Sequence, residues 1–181
     1  GAGGVGGYFG ARLQQIGGDV TFLVRPKRAQ LIKKQGLIVV TPSERIRLQP
    51  KLVILDELVN AFDLVMLSPK AYDLEDALKT VTNVSGNPIL LPLLNGFDHL
   101  QVMDDKFGKK RVMGGVAHIA AVLTEEGVVK QLSDLHRFTF GTRHACQESI
   151  AKDLEKLVQV AIFEGVRSLN VEQSLWDKWT F

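Results

Sequence analysis

The sequence predicts an α/β protein with a doubly wound, mostly parallel sheet, an antiparallel extension, and the start of a helical segment at its end. Three observations carry this. A glycine-rich stretch, Gly1 to Gly10, opens into an apolar helical stripe. Short apolar runs bounded by turn residues then alternate with helix-length amphipathic segments as far as Phe107. From Arg111 to Gly141 the apolar runs follow one another with no helical pattern between them.

Gly1, Gly3 and Gly6 fit G-x-G-x-x-G. In a dinucleotide-binding turn the first glycine makes the tight bend, the second admits backbone to a pyrophosphate, and the third lets helix and strand approach. Such a turn follows a strand, so the Rossmann-type sheet is expected to have its first, central strand ahead of Gly1, outside this sequence. Val5, Phe9, Leu13 and Ile16 form the helical stripe, and Gly17-Gly18 sits where a helix stops. Val20 to Val24 reads as a buried strand. Pro26 suits the first turn of a second helix with Leu31 and Ile32 on its apolar side, closed by Gly36.

Leu37 to Val40 is a short strand, and Ile46 and Leu48 alternate as an edge strand. Lys51 to Leu58 is strand-like without a clear period, and Phe62 to Leu67 suits a strand covered on both faces. A helix over 71–81, a strand over 88–94 and a helix over 98–107 follow. Arg111 to Leu123, Val128 to Leu132 and Arg137 to Gly141 read as three strands, with Glu125-Glu126-Gly127 as a turn. Ile150, Leu154, Leu157, Val158 and Ala161 mark an amphipathic helix. Val166 to Val171 reads as a last strand, and Leu175, Trp176 and Trp179 begin a new helix.

The balance of 22 basic against 20 acidic residues leaves a net charge of +2, which makes no electrostatic case for nucleic acid or a membrane surface. A single cysteine, Cys146, excludes an internal disulfide and suits a reducing, cytoplasmic compartment. His99, His118, His136 and His144 are scattered without ligand spacing, so no metal site is expected.

Four positions stand out for chemistry. Arg25, with Lys27 and Arg28 behind it, lies where an NAD-preferring site places an acid. A ribose 2′-phosphate suits that place, and so does a solvated basic turn. Lys70 and Asn95 each follow a predicted parallel strand, where ligand crevices form; an exposed helix start and a turn with Gly96 are the plainer readings. On a helix, Lys178 falls about 200° round from Trp176, off the stripe of Leu175, Trp176 and Trp179. That leaves it free to face a cleft while the tryptophans pack into protein; a surface lysine with a snorkelling stem is the plainer reading.

The motifs GAGGVGGYFGARL, LVRPKRA, SPKAYDLEDAL, LLNGFDHL, GGVAHIAAVLTEEGVV and WDKW, spread over nearly the whole chain, resemble the ketopantoate reductase family. The resemblance implies NADPH-dependent reduction of 2-dehydropantoate, a step of pantothenate and coenzyme A synthesis. Residues 1–170 would form the NADP-binding domain, and 171–181 would begin a helical domain for substrate binding and homodimer formation. It implies that Gly1, Ala2, Gly3, Gly4, Val5 and Gly6 form the pyrophosphate turn and that Arg25 meets the 2′-phosphate. Lys70 and Asn95 would bind cofactor, Asn95 also substrate, and Lys178 would be the catalytic lysine. Pro69 departs from the family pattern just before that lysine. The competing classes are a reductase of another 2-oxoacid, a non-catalytic NADP-sensing module, and a methyltransferase, which Arg25 disfavours.

Overall fold

The computed structural model describes residues 1–55 and 61–179. Helix α1 (Gly4–Gln15) rises directly from the glycine turn and stops where Gly17 takes a φ of +92°. Gly18 N–H returns to the Leu13 carbonyl at 2.9 Å, closing the last turn. The predicted stripe faces the core: Phe9 and Leu13 are buried, and Val5 and Ile16 pack against them. Tyr8 is also fully buried. So is Arg12, whose charge pairs with Glu44 at 2.7 Å and ties α1 to the loop before Arg45.

Strand β1 (Thr21–Leu23) leads into α2 (Pro26–Gln35), with Pro26 in its first turn. Gly36 ends α2 with a φ of +83°, a conformation that disfavours any side chain. Then come β2 (Leu37–Val40), β3 (Arg45–Leu48), β4 (Lys51–Val53) and β5 (Leu64–Leu67). The stretch expected as strand from Lys51 to Leu58 is strand only to Val53, and its last three residues lie outside the described ones. Helix α3 (Leu74–Val81) is preceded by a tight turn at Ala71–Asp73; β6 (Ile89–Pro92) and α4 (Asp98–Phe107) follow.

Among the described residues, β1 pairs in parallel with β4, and β5 in parallel with β6. Each of these sheets has two strands among the described residues, so β1 and β5 are each paired along one edge there. The third sheet runs β3, β2, Val129–Gly141 and Gly114–Leu123, with Glu164–Arg167 also on Val129–Gly141. Its β7 (Gly114–Leu123) and β8 (Val129–Gly141) form the antiparallel hairpin, and β3 is an edge as expected. Two strands predicted separately, Val128 to Leu132 and Arg137 to Gly141, are one strand. β8 runs on through Ser133 to His136, and the register slips opposite Ile119 to Ala121 instead of breaking.

Helix α5 (Glu148–Val158) packs on β9 (Glu164–Arg167). The predicted last strand is shorter than expected at its far end. Val171 instead opens α6 (Val171–Trp179), because its side chain fills the space over Gly114 and Gly141. One core cluster gathers Phe9, Phe138, Phe140 and Phe163 between α1, α5 and the third sheet. A second gathers Leu78, Leu90, Met103, Val116 and Leu175 beneath α3, α4 and α6. The free faces of α1, β1, β5 and α6 all border one cavity.

Candidate active site

That cavity, about 2600 Å³, is lined by the glycine turn, β1, β5, the loops after β5 and β6, the middle of β7 and the end of α6. It exceeds the roughly 300–1,000 Å³ of ordinary small-molecule pockets because its lining also takes in parts of β4, α3 and α5.

The glycine turn forms one wall. Gly3 caps α1 with extended backbone and no side-chain bond, leaving the first helical N–H groups to the cavity. A Cβ at Gly3 would meet nothing within 4 Å, so the space above it is open. A Cβ at Gly6 would overlap the Gly1 carbonyl and Ser68 Oγ, which is the close approach the motif requires. The motif does not show two further contacts. Gly4 lies against the Ala121 carbonyl, and Gly10, not Gly6, makes the close helix–strand contact, its Cβ position 2.6 Å from the Phe22 ring. These residues fit a pyrophosphate at a helix N-terminus.

Arg25 is the N-cap of α2 and is 86% exposed, with Asp73 3.9 Å away across the cavity mouth. Arg28 does not share its role. Its guanidinium donates to the Gly127 carbonyl at 2.7 Å and the Ala2 carbonyl at 3.1 Å, bracing the glycine turn against the β7–β8 turn. The basic cluster in the sequence thus divides into an exposed cation and a half-buried brace. Lys70, despite Pro69, still lines the cavity as the exposed N-cap of the turn before α3.

Lys178 and Asn95 come together from 83 residues apart. Lys178 Nζ donates to Asn95 Oδ1 at 2.7 Å and to the Ala117 carbonyl. Gly96, with a φ of +80°, turns the chain so that Asn95 stands at the cavity edge. An ammonium has three donors, so one N–H of Lys178 remains for a ligand. Burial lowers the Lys178 pKa from its ordinary 10.5. The tryptophans are not where the sequence placed them. Leu175 is buried with Lys178 one turn on, whereas Trp176 and Trp179 are 55% and 56% exposed, Trp176 stacking on Phe97 at 4.1 Å. The face of α6 that meets β7 is therefore the Leu175–Lys178 face.

Sequence reasoning did not assign His118 to the cavity. It lines the cavity beside Ala117, and the alternation of β7 is the signal that could have found it. Among the described residues no cluster of three or more His, Cys, Asp or Glu could hold a metal, and no helix is long and apolar enough to cross a membrane.

The family model for ketopantoate reductase PanE/ApbA matches residues 1–144. The chain belongs to this family. An uncharacterised oxidoreductase of Bacillus subtilis, YkpB, is 36% identical over the whole chain, which spans 60% of that protein's length. A 2-dehydropantoate 2-reductase of Pyrococcus horikoshii is 30% identical over 72% of the chain and 42% of its own length. Among solved structures, the 2-dehydropantoate 2-reductase of Geobacter metallireducens superposes with a TM-score of 0.87 at 26% identity, covering 98% of this chain and 59% of that one. A D-mandelate dehydrogenase solved with NADH and anilino(oxo)acetate gives 0.86 at 25% identity, covering 98% and 58%. The ketopantoate reductase family is thus one of oxidoreductases with a mixed, mostly parallel α/β fold, as the sequence predicts.

Proposed function

We propose that this chain carries the cofactor-binding part and the proton-donating lysine of an NADPH-dependent reductase of 2-dehydropantoate. The observation that carries this reading is the Lys178–Asn95 contact on the wall of the cavity that also holds the glycine turn. Bound nicotinamide supplies the hydride to a ketone carbon. Everything else falls to the chain. The N–H groups from Gly1 to Gly6 hold the pyrophosphate, with Arg28 keeping that turn in place through Ala2. Arg25 offers a bidentate partner for a 2′-phosphate. Lys70 lies along the cofactor from the cavity rim. Asn95 orients Lys178, and the remaining N–H of Lys178 meets the ketone oxygen, stabilises its growing negative charge and protonates it.

In this reading residues 1–170 are the NADP-binding domain, and α6 begins a helical substrate and dimerisation domain. The protein acts in the cytoplasm, in pantothenate synthesis. The likeness to a D-mandelate dehydrogenase bound to NADH supports a second reading, an NADH-dependent enzyme of another 2-oxoacid. Oxidation of NADPH and of NADH with a panel of 2-oxoacids decides between them. The expected pair is NADPH with 2-dehydropantoate. Faster turnover of NADH with an aromatic 2-oxoacid selects the second reading, and cofactor binding without any oxidation identifies a non-catalytic module.

A further inference from the structure

Strand β7 brings a second polar side chain to the place where Lys178 meets the cavity. His118 follows Ala117, whose carbonyl holds Lys178 Nζ, and both His118 and Lys178 line the cavity. Alternate residues of a strand share a face, so His118 lies on the side of Val116. Val116 packs with Leu175 in one core cluster, and Leu175 is one helical turn before Lys178. Lys178 Nζ therefore meets β7 at the residue before His118, and the two side chains come to the cavity from two different elements.

His118 has no structural partner that explains it. Its Nδ1 is buried and makes no hydrogen bond among the described residues. The ring nitrogen open to a ligand is therefore Nε2, not Nδ1. Its register partner Arg137 is engaged with Glu164 at 2.7 Å. Burial, then the charges of Lys178 and Arg137, hold the imidazole below its ordinary pKa of 6.5 against the opposing pull of Glu164. The ring is neutral at pH 7, does not repel Lys178, and still carries one N–H donor.

We propose that His118 is a substrate-binding residue that donates a hydrogen bond to the carboxylate of a 2-oxoacid whose ketone oxygen meets Lys178. The inference rests on the reading of this cavity as a 2-oxoacid reductase site. In such an acid the carboxylate and ketone oxygens sit on adjacent carbons, so their two donors must be neighbours. Lys178 and His118 are neighbours of this kind, and neither depends on the cofactor turn.

The test compares His118→Ala and His118→Gln with the parent protein. In His118→Ala the KM for 2-dehydropantoate rises about 10- to 100-fold, the loss expected for a hydrogen bond to a charged group. The Kd for NADPH stays the same. His118→Gln keeps a donor and recovers part of the loss. A purely structural role would weaken cofactor and oxoacid together. Independently of variant folding, nitrogen NMR of the parent imidazoles, with His118 identified by its absence in His118→Gln, is read before and after oxamate is added to the NADP⁺ complex. Oxamate is a non-reducible isostere of a 2-oxoacid, and it should shift the His118 signal. Oxamate binding that leaves this signal in place, or an unchanged KM in His118→Ala, overturns the proposal. If the parent reduces no 2-oxoacid yet oxamate shifts His118, the reductase reading falls and the binding site stands.

Discussion

Lys178 couples its chemistry to its burial. The ammonium is the acid form, and burial lowers its pKa from 10.5, so activity that needs this proton falls as pH rises through a pKa below that value. General acid catalysis is typically worth about 10²–10⁴ in rate. Lys178→Ala should cut kcat by that order and flatten the alkaline limb of the pH profile, with NADPH binding retained in a fluorescence titration. A kcat within a few-fold of the parent removes Lys178 from the chemistry. Arg25 is tested by cofactor choice. It is highly exposed and its ion pair to Asp73 is long, so removing it disturbs little of the fold. Arg25→Ala should weaken NADPH about 10- to 100-fold and leave NADH nearly unchanged. Equal loss of both cofactors places the 2′-phosphate elsewhere.

At the scale of elements, the glycine inside the first turn of α1 and the glycine just past its end are of two kinds, and they separate by substitution. Gly6 is crowded: a Cβ there overlaps the Gly1 carbonyl, which is backbone and cannot swing aside. Gly6→Ala should cost roughly 1–3 kcal/mol through overpacking and also abolish dinucleotide binding, since the turn itself must shift. Gly17 is open, with nothing within 4 Å of its Cβ position, and is special only through its φ of +92°. Gly17→Ala should cost about 1 kcal/mol of backbone strain and leave cofactor affinity alone. Thermal melts paired with NADPH titrations show whether the two losses separate. If both variants lose cofactor, the glycine turn depends on the whole of α1.

At the scale of the whole molecule, Arg143 joins parts distant in sequence. It lies just past β8 with a side chain only 6% exposed. It grips Asp104 of α4 through both carboxylate oxygens, at 2.8 and 2.7 Å, reaches Glu172 of α6 at 3.0 Å, and donates to the Val112 carbonyl before β7. Removing one partner of a buried pair strands the other charge, at a cost of about 3–5 kcal/mol. Arg143→Ala should lower Tm by roughly 6–12 °C at the low end of that range. Because Arg143 also fixes the start of α6, kcat should fall with it through misplacement of Lys178. Replacing Asp104 as well by an apolar residue should restore much of the stability. A melt unchanged in the single variant makes the network ornamental.

Much of this protein was legible in its sequence, because local physics decided it. Glycine turns, the proline opening α2, apolar periodicity and short runs between turn residues act over a few residues. They place α1, α2, β2, β3 and α4 close to their observed bounds. Arg25, Lys70 and Asn95 sit just past strand ends for the same local reason. Tertiary structure decided the rest, because those choices depend on what lies across the molecule. Pairing with β7 carries β8 through Ser133 to His136, where its own pattern predicts a break. The space over Gly114 and Gly141 draws Val171 into α6. Periodicity identifies an apolar stripe on α6 but not which face meets β7. Leu175 is buried there while both tryptophans stay more than half exposed, and that choice aims Lys178 at Asn95. Arg28 looks like Arg25 in sequence and becomes a brace only because the Ala2 and Gly127 carbonyls come within its reach. A side chain's type follows from its own chemistry, but its partner is set by chain that can lie more than eighty residues away.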